Sequence, residues 1–124
     1  MFRTMCHAKI HLATVTETRL DYVGSITVDP VFLEMVDLLP YEKVAVVNRN
    51  NGYRAETYII EGRRGSGIIG INGALARHAA IGDRLIVIGY KMIADDKLSR
   101  HFEPKVVYLD EHNRICNEPQ SALI

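Results

Sequence analysis

Short apolar runs, each ended within a few residues by glycine, proline or asparagine, recur along this chain and limit the folds open to it. The segments 8–18, 26–28, 44–47, 53–60, 68–71, 84–89 and 106–109 read as strands, rich in β-branched residues. Two helical signals interrupt them. Asp29-Pro30 opens the first, with aspartate as cap and proline at the first position; Phe32, Met35 and Leu39 are spaced for its apolar face, and Pro40 ends it. Asn72 is placed to cap the second, over 73–80, with Gly82 closing it. Arg49-Asn50-Asn51-Gly52 reads as a hairpin turn, because Asn-Gly suits positive φ. The stretch 90–101 is ambiguous, a strand running into the acidic pair Asp95-Asp96. The expectation is a mainly β chain, a compact β-barrel with small helices rather than a layered α/β sheet.

The 124 residues form one domain, 1–124, long enough to bury roughly two-thirds of the unfolded surface. Fifteen Lys and Arg balance fifteen Asp and Glu with no one-signed segment, which argues against a nucleic-acid partner. No charged leader precedes an apolar core, and no apolar run approaches membrane-spanning length. A cytoplasmic protein with no membrane partner is expected. Cys6 and Cys116 lie near opposite ends and read as free thiols. His7 and His11 would share a helix face, as in zinc sites. On a strand they stand roughly 13 Å apart, so no metal is expected. Past Asp110 the chain is polar, and its final residues read as loosely held.

Gly24-Ser25 carries the chemistry. A serine hydroxyl can attack the carbonyl before it and move the acyl group from nitrogen to oxygen, and glycine leaves that carbonyl unshielded. Elimination from the ester gives dehydroalanine, and loss of ammonia leaves a pyruvoyl group, a ketone able to form a Schiff base with an amine substrate. The plain alternative is a turn, which is how the second pair, Gly65-Ser66 within Arg63-Arg64-Gly65-Ser66-Gly67, reads. What sets Gly24-Ser25 apart is its company of Lys9, His11, Tyr22, Arg54, Thr57, Tyr58 and Asn72.

On the first strand Ala8, Ile10 and Leu12 point one way and Lys9 and His11 the other, as a solvated polar face or as cations lining an acidic pocket. Arg54 can grip a carboxylate with two prongs, or simply flank the hairpin in solvent. Tyr58 is protonated at neutral pH and can donate a proton, or serve as a core aromatic. Thr57 and Tyr58 are strand neighbours, so their side chains face opposite ways. Both can serve one reaction only if the strand is irregular or one of them serves another subunit. The free backbone amides of Asn72-Gly73-Ala74 can orient an anion or merely start a helix.

Arg3-Thr4-Met5, Lys9-Ile10-His11, Tyr22-Val23-Gly24-Ser25, Asn51-Gly52-Tyr53-Arg54, Thr57-Tyr58, Arg64-Gly65-Ser66, Ile71-Asn72-Gly73-Ala74 and Gly82-Asp83, in this order, resemble the bacterial aspartate 1-decarboxylases from Met1 to about Leu109. The resemblance implies a six-stranded double-psi β-barrel, assembled as a homotetramer with sites between subunits. It implies cleavage into 1–24 and 25–124 and a covalent pyruvoyl cofactor made from Ser25. It implies decarboxylation of L-aspartate to β-alanine for pantothenate synthesis. Ser25 and Tyr58 would be catalytic, and Lys9, His11, Arg54, Thr57, Asn72, Gly73, Ala74 and Leu75 would hold substrate. Thr57 would also bond the Gly24 carbonyl during the acyl shift. Val47 replaces a bulky aromatic and Leu75 a small residue, which opens the preference to a related, longer acid. The competing reading is a small barrel that binds or assembles without catalysis.

Overall fold

The computed structural model describes residues 1–117; the polar tail expected to be loosely held lies largely outside them. Among the described residues, nine strands form one hydrogen-bonded order. They are β1 (Phe2–Thr14), β2 (Glu17–Arg19), β3 (Ser25–Val28), β4 (Lys43–Asn48), β5 (Arg54–Glu61), β6 (Ile69–Asn72), β7 (Arg84–Ala94), β8 (Lys105–Leu109) and β9 (Ile115–Cys116). Their order is β2-β6-β3-β5-β4-β7-β1-β8-β9. The chain is mainly β with small helices, as expected. The ladder holds nine strands, two of which, β2 and β9, are three and two residues long.

The ladder mixes directions. β1 runs antiparallel to β7 and parallel to β8, and β3 runs antiparallel to β6 and parallel to β5. Ala8, Ile10, Ala13, Ile26, Val28, Val44, Val46, Ile59, Ile71, Leu85 and Val87 fill the interior from the inward face of these strands. Lys9 and His11 lie on the opposite face, as the alternation predicts. Leu12 departs from it. It takes φ 64 at a register shift between His11 and Ala13, and Ala13 fills the inward position instead.

Helix α1 (Pro30–Val36) is capped by Asp29, whose carboxylate accepts from Val31 N, and Pro30 sits in its first turn. Its buried face is Phe32, Leu33 and Val36, whereas Met35 and Leu39 are exposed, which corrects the expected stripe. For Leu39 the reason is an early stop. Asp37 is left-handed at φ 61, and Leu38 N bonds back to Leu33 O, so Leu39 is already beyond the helix.

Candidate active site

Gly24-Ser25 joins an exposed loop to the first residue of β3. Val23 is 67% exposed, while Ser25 is fully buried. Space around Gly24 is open, since a Cβ built there would meet nothing within 4 Å. The Ser25 hydroxyl donates a long 3.3 Å bond to the Val23 carbonyl, one residue before the carbonyl it would attack. Its oxygen accepts from Asn72 Nδ2 at 2.9 Å, and that same nitrogen donates to Thr27 Oγ1 at 2.9 Å.

Asn72 does not cap a helix as its sequence context suggests, for its side chain makes no capping bond. It is the last residue of β6, with extended backbone, paired directly with Ser25 across the ladder. A strand residue projects from the sheet face, so its amide reaches along β3 rather than over the next turn. The chain then enters a short 3-10 helix, Gly73–His78, started by Gly73 at φ 74 and ended well before Gly82. Gly73 is a close approach. A Cβ there would fall 2.6 Å from Gly24 Cα and 3.0 Å from Gly24 N. A bare glycine backbone therefore lies directly against Gly24, where any side chain would collide. Ala74 is exposed. Leu75 packs its side chain against the hydrophobic core.

β5 lies on the other side of β3. The register pairs Ile26 with Ile59, so one step back Ser25 stands beside Tyr58. Tyr58 is half-buried and stacks on Tyr41 with ring centroids 6.3 Å apart. The pairing of β5 with β4 runs from Tyr58–Lys43 to Arg54–Val47 without a shift. The strand is therefore regular, and Thr57 and Tyr58 do face opposite ways.

The cations occupy a row across the sheet. Arg54 pairs with Val47, Val47 with Ile86, Ile86 with His11 and His11 with Tyr108, and Lys9 stands two residues along from His11. Arg54 is exposed, while Lys9 and His11 are half-buried. The His11 ring meets Tyr108 edge-on at 5.8 Å. Burial, then the charges of Lys9, Arg84 and Arg49, hold the His11 imidazole below its ordinary value, so it is neutral at neutral pH. Lys9 and His11 stand on β1, four strands from β3 in the order of the ladder. Arg54 lies four residues from Tyr58 along β5. The structure thus joins Gly24, Ser25, Asn72, Gly73 and Tyr58, and sets Arg54, Lys9 and His11 apart from them. Thr27 escapes a reading of the sequence because a threonine in a strand looks like any β-former. Its one signal is that it shares a face with Ser25, two residues earlier.

The chain is mainly β, and in it a buried serine, bonded by the side chain of Asn72, directly follows an unshielded glycine. The family model for aspartate decarboxylase matches residues 1–116. An aspartate 1-decarboxylase from Listeria monocytogenes is 59% identical over 115 residues, spanning 93% of this chain and 90% of that one. Those from Bacillus subtilis and Anoxybacillus flavithermus are 52% and 55% identical over 128 residues, spanning 100% of both chains. The chain belongs to the aspartate decarboxylase family.

Proposed function

We propose that this protein cuts itself before Ser25, turns that serine into a pyruvoyl group, and with it decarboxylates L-aspartate to β-alanine in the cytoplasm. The observation that carries the reading is the setting of Ser25, a fully buried hydroxyl held by Asn72 behind an open glycine. The relatives' shared name supports the substrate.

In the cut, Ser25 Oγ bonds to the Gly24 carbonyl carbon, the Gly24–Ser25 C–N bond breaks, and the hydroxyl proton ends on the freed amine. Loss of the Cα proton with departure of the Gly24 carboxylate then leaves dehydroalanine. Water enters and ammonia leaves to give the ketone. Once formed, the pyruvoyl carbonyl supplies an acceptor for the electrons freed as carbon dioxide departs.

The remaining work belongs to side chains and backbone amides. Arg54 grips a substrate carboxylate with two prongs and Lys9 adds positive charge. Neutral His11 positions the substrate, and the Tyr58 hydroxyl returns a proton to the carbon that lost its carboxyl group. Thr57 contacts the Gly24 carbonyl, and the amides at Asn72, Gly73, Ala74 and Leu75 orient the bound acid. In the order of the ladder Lys9 and Arg54 are separated from Ser25, by four strands and by four residues of β5. A homotetramer that brings Lys9 and Arg54 of one subunit to Ser25 of another closes that separation. Val47, small and half-buried between Arg54 and His11, favours a second reading in which a longer acid is also accepted.

Denaturing mass spectrometry should find two fragments, 1–24 and a longer one starting with a ketone. Borohydride should then fix aspartate to the longer fragment, and a parallel run with glutamate weighs the second reading. One uncut chain with an ordinary serine would overturn the proposal.

A further inference from the structure

Asn72 holds Ser25 with one of its amide hydrogens and Thr27 with the other, at 2.9 Å each. Ser25 and Thr27 are two residues apart on β3, so they project from the same face. Thr27 is itself held. It stands opposite Gly70 in the ladder, where an added Cβ would come 3.3 Å from Thr27 Cβ. On its other flank, a Cβ at Gly62 would come 2.9 Å from the Thr27 methyl. Bare glycines thus flank the Thr27 side chain, Gly62 against its methyl and Gly70 against its Cβ. That seating restricts the χ1 of a β-branched side chain, and Oγ1 lies at Asn72.

An amide held at one point swings about its last torsion, which has a broad, nearly two-fold profile. Held at two points along a strand, its plane is fixed. We propose that Thr27 is a positioning residue for self-cleavage: it anchors the Asn72 amide so that the Ser25 hydroxyl stays aimed at the Gly24 carbonyl. Thr27 does not touch the scissile peptide in this arrangement; it acts through Asn72. The inference rests on the self-cleavage proposed above and is independent of the substrate.

The test is the half-time of cutting, followed by intact mass on freshly purified wild type, Thr27→Val and Thr27→Ser, with each thermal midpoint alongside. Valine keeps the methyl and the shape but loses the hydroxyl, and should slow cutting about tenfold, the loss of one hydrogen bond to the reacting arrangement. Serine keeps the hydroxyl and should cut within about threefold of wild type. Should the valine variant fold poorly, Thr27→Ala removes the same hydroxyl and crowds nothing. A hydroxyl-free variant that folds and cuts at the wild-type rate overturns the inference alone, as does a serine variant as slow as the valine one. A wild-type chain that stays whole overturns the self-cleavage reading and this inference with it.

Discussion

Gly24-Ser25 and Gly65-Ser66 are the same dipeptide in two settings, one entering a buried strand and the other turning through solvent. Ser66 is exposed, and its hydroxyl is closed within its own turn, donating to Arg63 O at 2.5 Å and accepting from Ile68 N at 3.2 Å. The glycines on either side have φ 79 and φ 71, and their amides both bond the Asp29 carboxylate, at 3.1 and 2.9 Å. Both partners of the Ser66 hydroxyl lie within the bend itself. Ser25 instead makes its short bond to a side chain from another strand, and its own hydrogen has only a long contact. Away from water, a weakly committed hydroxyl meets no competing solvent partner, and the strand fixes its direction. The two settings therefore predict a reactive hydroxyl at Ser25 and an inert one at Ser66.

The sharpest way to break this contrast is to delete each hydroxyl in turn. Ser25→Ala should give a folded, uncut chain with no decarboxylation, because it removes the only atom that can start the acyl shift. Ser66→Ala should cut and turn over within about twofold of wild type, and lose about 0.5–1.5 kcal/mol of stability with its turn bond. Intact mass and β-alanine formation read both outcomes. Cutting in Ser25→Ala, or its absence in Ser66→Ala, would erase the distinction.

A smaller effect is expected from the glycines. Gly73→Ala would press a methyl to 2.6 Å from Gly24 Cα at φ 74, whereas Gly24→Ala meets nothing within 4 Å. A left-handed alanine costs about 1–2 kcal/mol before the clash is counted, so Gly73→Ala should slow cutting at least about tenfold. Gly65→Ala, also left-handed but uncrowded, should cost a similar amount of stability and leave cutting unchanged. The time course of fragment release compares the three. Equal rates for Gly73→Ala and wild type would mean the close approach of Gly73 has no part in the cut.

How far each feature is legible depends on how far apart in sequence its partners lie. The strands show themselves because alternation is local, but their bounds are less legible. The expected 8–18 strand ends at Thr14 and resumes as β2, 84–89 runs on to Ala94, and β9 goes unread. At Leu12 a bulge breaks the alternation. The helix face fails for a reason equally local but hidden. Nothing in Phe32, Met35 and Leu39 announces that Asp37 will turn left-handed and end the helix two residues before Leu39. Asn72 looks like a cap because small residues come after it. Its true partner, Ser25, is 47 residues away and is brought alongside by strand pairing alone. The Gly24-Ser25 pair can be singled out by its chemistry and by its family resemblance. Its support by Thr27, Gly62 and Gly70 exists only in the folded ladder.

Asp29 gives the least effect on cutting and the most informative one on the second pair. Burial alone would raise its carboxyl, but backbone N–H bonds from Val31, Gly67 and Gly65, with the Arg64 charge, outweigh it and hold the group below the usual aspartate range. A value lowered on folding contributes stability that is complete above the unfolded value and is lost as pH falls through the folded one. Asp29→Asn can still cap α1 with one oxygen, yet its NH2 must face an amide that the carboxylate now accepts. The cost should be about 1–3 kcal/mol at neutral pH. Urea unfolding of wild type and variant across the acid range should show this gap narrowing as pH drops below the ordinary aspartate value, because the asparagine does not titrate. Cutting before Ser25 should be unchanged, since Asp29 ties the Gly65-Ser66 turn to the cap of α1 and makes no contact with Ser25. A gap independent of pH would remove the carboxylate's charge from the account of that turn. Slower cutting would mean the two glycine–serine regions communicate, and the contrast drawn between them would then have to include Asp29.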